Sequence, residues 1–471
     1  MSGLYEKLEM YGCSDYYGFH MPGHKRRLVG KQAGAELPYR MDITEIEGFD
    51  DLHHACGILK EAQERAARVF GADETHFLVN GSTAGILSAV CGATEKGDTI
   101  LVARNCHKSV YHAMYLNELK PVYLYPGFDR ESGLNTRIDP EDVREALRRD
   151  GSIRAVVIVS PTYDGVVSDV EAIGEAAHEK GVPLIVDEAH GAHFGFHPAF
   201  FPNSNARGAD VVIHSVHKTL PSLTQTALLH MNGRLADRKK IRKYLDMLQS
   251  SSPSYILMAS IDRCVRLMEK EAREIFPPYV EMLFETRRRL SELRHMRLIE
   301  REDCDKSKIV ISVKDADISA RELYERLHRR HRLQLEMAAG TYVLAMTAAG
   351  DTKEGMERLT DALLLIDNEI GLKKTDDFRP PGHGMPRLET ACSLSRAEGR
   401  EKDEKEYVPW ERCAGRVSAE YAYLYPPGIP LAVPGERLTE EAAESLCWYM
   451  RQGYSVEGLK RERYIEVLIN E

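Results

Sequence analysis

The chain has 471 residues, of which 43% are hydrophobic and 29% charged, which is typical of a globular enzyme with a large buried core. Its formal net charge of −10 argues against a general nucleic-acid binder, because such proteins present basic surfaces. No apolar run approaches the roughly 18 residues of a membrane span, and the N-terminus lacks the apolar core of a signal peptide. The nine cysteines are scattered without a C-x-x-C pair, which predicts reduced thiols in a cytoplasmic protein.

The N-terminal segment has two polar stretches before its first regular element. Residues 19–26 contain a Pro-Gly turn whose flanking basic groups could face a ligand or a partner subunit. Residues 42–54 are too polar and irregular for a regular element, and a helix is predicted to follow from about Ile58 to Phe70. His53 and His54 are adjacent and would point apart on any regular element, which argues against a metal site there.

A strand, a tight turn and a helix are predicted between residues 75 and 93. The turn places Ser82 and Thr83 at the start of the helix, where free backbone N–H groups and the helix dipole favour an anion. A plain N-cap is the alternative, since serine and threonine are preferred there without any ligand. Neither a P-loop nor a G-x-G-x-x-G motif follows this strand, so the sequence does not predict those nucleotide sites.

Polar residues also follow the next apolar strands. His107 comes after the strand at residues 99–103, where its ring could stack on a cofactor or serve as a buried structural histidine. The strand at residues 155–159 leads into Ser-Pro-Thr-Tyr-Asp-Gly, and the strand at 182–186 leads into Asp187. Ligands of open α/β sheets bind outside the carboxyl ends of the strands. A carboxylate there can pair with the protonated pyridine nitrogen of pyridoxal 5′-phosphate (PLP).

The most informative stretch follows the strand at residues 209–213 and reads His-Ser-Val-His-Lys-Thr. A lysine buried beside apolar or cationic groups has a lowered pKa, so the amine of Lys218 could attack a carbonyl. Ser215 and His217 could hold a phosphate next to it. These are the parts needed for a Schiff base with PLP, although a lysine after a strand can also be a solvated strand end.

The order of elements predicts the architecture. Strands and helices alternate from residue 75 to 230, which indicates an α/β fold with a mainly parallel sheet, and residues 227–231 are predicted to be antiparallel or at an edge. A helical, charged stretch and a smaller β-α-β-α unit follow, and residues 373–412 read as a linker or surface excursion. We therefore predict an N-terminal segment (1–70), a large cofactor domain (71–260), a small α/β domain (261–375) and a C-terminal domain with its linker (376–471).

These motifs, in this order, resemble the fold type I PLP-dependent decarboxylases of ornithine, lysine and arginine. The resemblance rests on residues 80–83, His107, 187–190, 215–218 and the Pro/Gly-rich loop 425–436, and residues 19–25 and 45–54 are similar as well. It implies an aspartate aminotransferase-like large domain, small α+β C-terminal domains and a homodimer with shared active sites. The family pattern starts near residue 16, so the chain resembles short forms without the flavodoxin-like wing domain that supports decamers.

The resemblance also implies a role for each matching residue. Lys218 would form the Schiff base and Asp187 would pair with the pyridine nitrogen. His107 would stack on one face of the ring, Ala189 would support the other, and His190 would lie near its O3′ side. The residues implied in phosphate binding are Ser82, Thr83, Ser215 and His217. The spacing of His190 and His193 would suit a metal, but beside an Asp–Lys pair none is expected.

The implied reaction is decarboxylation of a basic amino acid, with a proton returned to Cα by Lys218 or His217. The distal cation of such a substrate needs a carboxylate partner, for which Glu436, Asp50 and Asp51 are candidates. We expect L-arginine to give agmatine for polyamine biosynthesis, with lysine or ornithine as the alternative substrates. Another fold type I enzyme, such as an aminotransferase or aldolase, or a non-catalytic regulatory relative, also remains open.

Overall fold

The computed structural model describes residues 14–19, 43–45, 49–373, 384–424, 428–454 and 456–469. Most of the basic turn predicted at residues 19–26 and the first three residues of the loop 425–436 lie outside these ranges. The α-helices are α1 (Ile58–Phe70), α2 (Gly81–Ala93), α3 (Lys108–Leu116), α4 (Pro140–Arg149), α5 (Val170–His178), α6 (Val216–Thr219), α7 (Arg238–Leu248), α8 (Tyr255–Leu290), α9 (Ala320–His331), α10 (Lys353–Glu369), α11 (Leu394–Glu398) and α12 (Glu440–Arg451). Within the described ranges, none of these helices combines the length and apolar character needed to cross a membrane.

The strands fall into one large sheet and several small ones. They are β1 (Tyr17–Phe19), β2 (Glu74–Leu78), β3 (Thr99–Ala103), β4 (Lys120–Leu124), β5 (Phe128–Asp129), β6 (Leu134–Asn135), β7 (Ile153–Val159), β8 (Leu184–Asp187), β9 (Val211–His214), β10 (Ala227–Met231), β11 (Arg297–Leu298), β12 (Lys308–Ser312), β13 (Leu333–Leu335), β14 (Met337–Ala339), β15 (Tyr342–Met346), β16 (Glu389–Thr390), β17 (Lys405–Pro409), β18 (Ala422–Leu424), β19 (Ile429–Ala432), β20 (Glu436–Arg437), β21 (Val456–Glu457) and β22 (Tyr464–Leu468).

The central sheet has seven strands in the order β2-β10-β9-β8-β7-β3-β4. Its neighbours pair in parallel from β9 to β4, and β10 is antiparallel to both β9 and β2. The predicted mainly parallel sheet is therefore confirmed. The prediction for β10 is right in direction, but the strand lies inside the sheet. Every residue of β8, β9 and β10 is buried, as is typical of strands in the middle of a mainly parallel sheet.

The strand order brings four predicted loops to one edge of this sheet. Strands β9, β8, β7 and β3 are consecutive neighbours, and they run in the same direction. Their carboxyl ends lead into residues 215–218, 188–190, 160–165 and 104–107, in that order across the sheet. Residues far apart in the sequence are thereby collected where α/β sheets bind their ligands.

A second unit packs behind the long helix α8. It contains an antiparallel sheet in the order β11-β12-β15-β14, with α9 and α10 nearby, and the domain boundary predicted at residue 260 falls inside α8. Strand β1 pairs in parallel with β13 of this unit. The Tyr17 hydroxyl donates to Asp351 at 2.8 Å and accepts from the backbone N–H of Thr352 at 2.7 Å. A Cβ on Gly355 would lie 1.8 Å from the Tyr17 ring, so only glycine admits the ring here.

The C-terminal part has its own small core. Trp410, Leu446 and Ile465 are buried in it, between helix α12 and the paired strands β17 and β22. Part of the stretch predicted to be a linker is regular structure, because β16, α11 and β17 fall within residues 389–409. Charged residues of the run lie on these short elements, where Arg396 and Glu406 are exposed and Glu398 and Lys405 are half-buried. A charge pattern alone cannot distinguish such elements from a true linker.

Candidate active site

Lys218 and His190 are in direct contact. The Nζ atom of Lys218, on the single-turn helix α6, lies 2.8 Å from Nε2 of His190 in the loop after β8. Burial lowers the pKa of Lys218, although the charges of Asp187 and Glu336 oppose this effect. Burial, together with the charge of Lys218, holds the pKa of His190 well below its usual value. The imidazole is therefore neutral, and its Nδ1 has no hydrogen-bond partner among the described residues.

Asp187 is the last residue of β8 and lies in the same buried space. Its carboxylate accepts a hydrogen bond from the backbone N–H of Ala189 at 3.1 Å and forms no ion pair with a described residue. Burial raises the pKa of Asp187, while the charge of Lys218 lowers it. A buried carboxylate without a cation is costly, so this one is suited to a protonated ring nitrogen.

The Glu188 side chain joins a different, structural network. Its carboxylate accepts from His214 Nε2 at 2.7 Å and from Ser204 Oγ at 2.6 Å. His214 Nδ1 lies 3.0 Å from His230 Nε2, and His230 Nδ1 lies 2.7 Å from Thr75 Oγ1. This buried line of side chains runs from the end of β8 across β9 and β10 to β2, and it ties the Asp187 loop to β9, the strand that precedes helix α6 and Lys218. We did not predict it, although polar residues in otherwise apolar strands were a visible signal.

Two predicted phosphate ligands meet at the start of helix α2. The hydroxyls of Ser82 and Ser215 are 2.5 Å apart, and Thr83 is exposed in the same turn. Asn80, the N-cap of α2, makes no side-chain capping hydrogen bond, so the first backbone N–H groups have no side-chain cap. This arrangement favours an anion over the plain N-cap considered from the sequence. The fourth predicted ligand, His217, donates from Nδ1 to the carbonyl of Thr226 at 2.7 Å.

The structure gives His107 a structural role at the start of helix α3. It is the N-cap of α3, and its Nδ1 accepts from the backbone N–H of Ser109 at 3.2 Å. Burial and the nearby charge of Lys218 lower its pKa to about 3, so the ring is neutral and close enough to the lysine to feel its charge. Its stacking on a cofactor ring remains a prediction.

Tyr163 and Glu336 are site residues that the sequence analysis missed. The Tyr163 ring lies with its centroid 4.5 Å from that of His190, and its hydroxyl donates to the Glu336 carboxylate. Glu336, between β13 and β14, also supports the charged form of Lys218. The position of Tyr163 just after strand β7 was the available signal, whereas nothing in the sequence brings Glu336 to this edge.

A buried ion pair contacts the backbone of His190. Lys308 Nζ lies 2.9 Å from Asp305 Oδ2 and donates to the carbonyl of His190 at 3.4 Å. His193 Nε2 lies 3.3 Å from the other carboxylate oxygen of Asp305. The His190 and His193 side chains therefore have different partners, Lys218 and Asp305, and both are engaged within the protein.

The three carboxylates predicted to bind substrate all have other partners within the chain. Glu436 lies 2.9 Å from Arg104, and both side chains are buried, with exposures of 2% and 1%. Asp50 accepts from the backbone N–H groups of Cys56 and Gly57 at 3.0 and 2.7 Å, at the start of α1. Asp51 accepts from the N–H of His53 at 2.9 Å. Each carboxylate thus has a structural role, and substrate binding by them remains a prediction.

The residues gathered here fit PLP. A buried lysine amine, an unpaired buried carboxylate and a hydroxyl-lined helix N-terminus match its aldehyde, its ring nitrogen and its phosphate. The fold and this set of residues define a fold type I enzyme, the aspartate aminotransferase-like class.

Three solved structures share the fold. The TM-score is 0.76 with lysine decarboxylase LdcF of Francisella novicida, which is 20% identical, over 90% of this chain and 73% of that one. Lysine decarboxylase A of Pseudomonas aeruginosa gives 0.76 at 22% identity, over 90% and 73%. Ureidoglycine-glyoxylate aminotransferase of Bacillus subtilis gives 0.55 at 16% identity, over 68% and 87%.

The sequence identifies the family within this class. Residues 2–331 match the major domain of the Orn/Lys/Arg decarboxylases, and residues 389–456 match their C-terminal domain. The chain belongs to this family and is an amino acid decarboxylase, as the resemblance predicted. Arginine decarboxylase of Bacillus anthracis is 32% identical over 93% of this chain and 91% of its own length. Arginine decarboxylase of Bacillus subtilis is 31% identical over 97% and 95%. Lysine decarboxylase LdcA of Pseudomonas aeruginosa is 26% identical over 92% and 73%.

Proposed function

We propose that this decarboxylase uses PLP to convert L-arginine into agmatine and CO2. The observation that carries the proposal is the buried Lys218 amine, which lies 2.8 Å from a neutral histidine and shares its space with the Asp187 carboxylate. The choice of arginine is supported by the two arginine decarboxylases of Bacillus, which match over more than nine tenths of the chain. Lysine comes second, because lysine decarboxylases also share the fold.

The predicted ligands would hold the cofactor from three sides. Ser82, Thr83, Ser215 and His217 would bind its phosphate, His107 and Ala189 would flank its ring, and Asp187 would keep the ring nitrogen protonated. PLP, when bound, supplies an electron sink for the charge that remains at Cα when CO2 leaves. The neutral His190 would orient the Lys218 amine through its hydrogen bond to Nζ.

Proton transfer to Cα would follow from the same geometry. Because burial lowers the pKa of Lys218, its amine can hold and release a proton closer to neutral pH than an exposed lysine can. Lys218 is therefore the favoured donor to Cα, and His217 is the alternative. We also propose a cytoplasmic homodimer with shared active sites and a role in polyamine biosynthesis, both of which rest on the family resemblance.

The decisive experiment is CO2 release, with identification of the amine, from purified enzyme loaded with PLP. Arginine, lysine and ornithine are supplied separately, and Lys218→Ala is the control. We expect agmatine from arginine, a much slower reaction with the other two, and no reaction in the variant. Dominant cadaverine or putrescine would replace arginine with lysine or ornithine. If the wild type releases no CO2 but converts a keto acid, the enzyme is an aminotransferase and the proposal fails.

A further inference from the structure

A cavity of about 170 Å³ lies where the three parts of the chain meet. Asn105 and residues 162–164 line it from the ends of the neighbouring strands β3 and β7. Tyr342 comes from the second unit, and Leu431 and Tyr449 come from the C-terminal part. None of these residues was among the predicted substrate contacts.

Side-chain oxygen atoms of Asp164 and Asn105 line this cavity and can accept hydrogen bonds from a ligand. Asp164 is the only charged side chain among the described residues that line it, and it forms no ion pair with any of them. Its carboxylate accepts from Thr162 Oγ1 at 2.5 Å and from the Tyr342 hydroxyl, and burial raises its pKa. The Oδ1 atom of Asn105, which is 4% exposed, has no hydrogen-bond partner among the described residues. A buried carboxylate whose side-chain donors are neutral hydroxyls and an amide oxygen without a donor are costly to bury, and a cation would satisfy both.

The aromatic walls suit the same kind of ligand. Tyr163, Tyr342 and Tyr449 line the cavity, and the face of an aromatic ring attracts a cation, most readily a planar guanidinium. No lysine, arginine or histidine appears among the described lining residues to compete with it. The charge of Arg301 lowers the pKa of Asp164, but the guanidinium forms an ion pair with Asp303 at 2.7 Å.

Two side-chain contacts connect the cavity to the active-site lysine. Tyr163, one of its walls, packs on His190 with 4.5 Å between ring centroids, and His190 Nε2 lies 2.8 Å from Lys218 Nζ. In the proposed reaction the α-amine of a basic amino acid takes the place of the Lys218 amine. The charge at the other end of its flexible side chain can then extend past Tyr163 towards the cavity. We propose that the cavity receives this distal cation and that Asp164 is its carboxylate partner. The inference rests on the decarboxylase function proposed above and names the substrate-specificity residue of that site.

The arrangement also explains the role of the buried Arg104–Glu436 pair. Arg104 donates to the carbonyls of Pro430 and Leu431 at 2.7 and 3.4 Å, and Leu431 lines the cavity. The pair therefore fixes the wall that the C-terminal part contributes. Glu436, predicted as a substrate carboxylate, would then shape the pocket from behind while Asp164 meets the ligand.

Binding of agmatine, which has the guanidinium end but no carboxylate, tests the inference directly. Its dissociation constant is measured by calorimetry on the PLP-loaded wild type, Asp164→Asn and the control Asp361→Asn, which changes an exposed carboxylate on helix α10 that does not line the cavity. We expect agmatine to bind roughly 30-fold or more weakly to Asp164→Asn, because a charged pair is lost, and equally well to the control. The melting temperature of unliganded Asp164→Asn should change little, since the variant weakens a hydrogen bond from Thr162 or Tyr342 but removes the cost of burying a charge.

Each outcome separates the inference from the proposed function. If wild type and Asp164→Asn bind agmatine equally well while both release CO2 from arginine, the cavity assignment is overturned and the function stands. If the wild type releases no CO2 from any basic amino acid, the function fails, whereas weaker agmatine binding in Asp164→Asn would still place a cation in the cavity. Should Asp164→Asn not fold, Tyr342→Phe keeps the ring and loses a hydrogen bond to Asp164. We expect roughly tenfold weaker agmatine binding there, and unchanged binding would overturn the assignment.

Discussion

Lys218 Nζ and His190 Nε2 lie 2.8 Å apart, and burial lowers the pKa of both side chains. This contact joins the loop after β8 to helix α6, which follows β9. The histidine ring fills space that water would otherwise occupy. Because the ring is neutral, it adds no second positive charge beside the lysine. The contact therefore helps to keep the lysine poorly solvated while still giving its amine a hydrogen-bond partner.

His190→Ala should raise the pKa of Lys218. Water would enter the vacated space, and better solvation favours the charged amine. A smaller fraction of neutral amine would then be present at each pH, so the pH dependence of PLP uptake by the apoenzyme should shift to higher pH. Stopped-flow absorbance across the pH range measures this, with His331→Ala, on helix α9, as the control. An unchanged midpoint in His190→Ala would show that the histidine does not affect the amine.

Ser82→Ala and Ser215→Ala should each weaken cofactor binding. A hydrogen bond to a charged phosphate is worth about 1.5–3 kcal/mol, so we expect the dissociation constant for PLP to rise roughly tenfold or more. Ser88→Ala is a matched control on the same helix as Ser82, because the Ser88 hydroxyl is buried and has no partner among the residues that the structure describes. Equilibrium dialysis of the three variants gives the comparison, and equal losses in all three would refute a specific phosphate contact.

Glu436→Gln should mainly cost stability. The change leaves the Arg104 charge buried and uncompensated, which typically lowers the free energy of unfolding by about 3–5 kcal/mol. Replacing both partners, as Arg104→Met with Glu436→Leu, should recover most of the loss. Denaturant unfolding of the single and double variants tests this. A large rise in KM for arginine without loss of stability would instead show Glu436 to be a substrate ligand.

Asp50 should contribute stability that depends on pH. Burial alone would raise its pKa, but the N–H groups of Cys56 and Gly57 outweigh it and hold the pKa at about 2. A carboxylate with a depressed pKa stabilises the fold above its unfolded value of about 4 and loses that contribution as the pH falls towards 2. Asp50→Ala should therefore lower the free energy of unfolding by about 1–2 kcal/mol at pH 7, and the difference should shrink between pH 5 and pH 3.

Asp50→Asn provides the matched comparison for that experiment. Asp50 has a φ of 69°, which asparagine tolerates far better than alanine does, and the amide oxygen can still accept from the helix start. Asn at this position should keep most of the stability at pH 7 and remove the pH dependence. If Asp50 bound the substrate cation instead, Asp50→Asn would raise KM for arginine and leave stability unchanged.

The sequence predicted the sheet and the residues at its edge because both depend on local patterns. Continuous apolar runs mark buried parallel strands, and chemistry collects where those strands end. Asp187, Ser215 and Lys218 were found in this way. The hydroxyl contact between Ser82 and Ser215 follows from the same rule, although β2 and β9 are separated by β10.

Partners from distant elements were beyond such patterns. Arg104 and Glu436 are 332 residues apart in the sequence, and only the packing of the C-terminal part against β3 brings them together. The line from Glu188 to Thr75 depends on β10 lying inside the sheet rather than at its edge. Asp164 stood in a motif noted from the sequence, but its significance comes from a cavity whose other walls belong to two later parts of the chain.

The pairing of β1 with β13 affects the order in which the chain can fold during synthesis. Asp351, the partner of Tyr17, is synthesised 334 residues after it. At a synthesis rate of about 5–20 residues per second, roughly 20–70 s pass between the synthesis of Tyr17 and that of Asp351. By then the residues of the central sheet have all been made, so that sheet can assemble first. Strand β1 would thus be among the last elements to pack, with the ring of Tyr17 against Gly355.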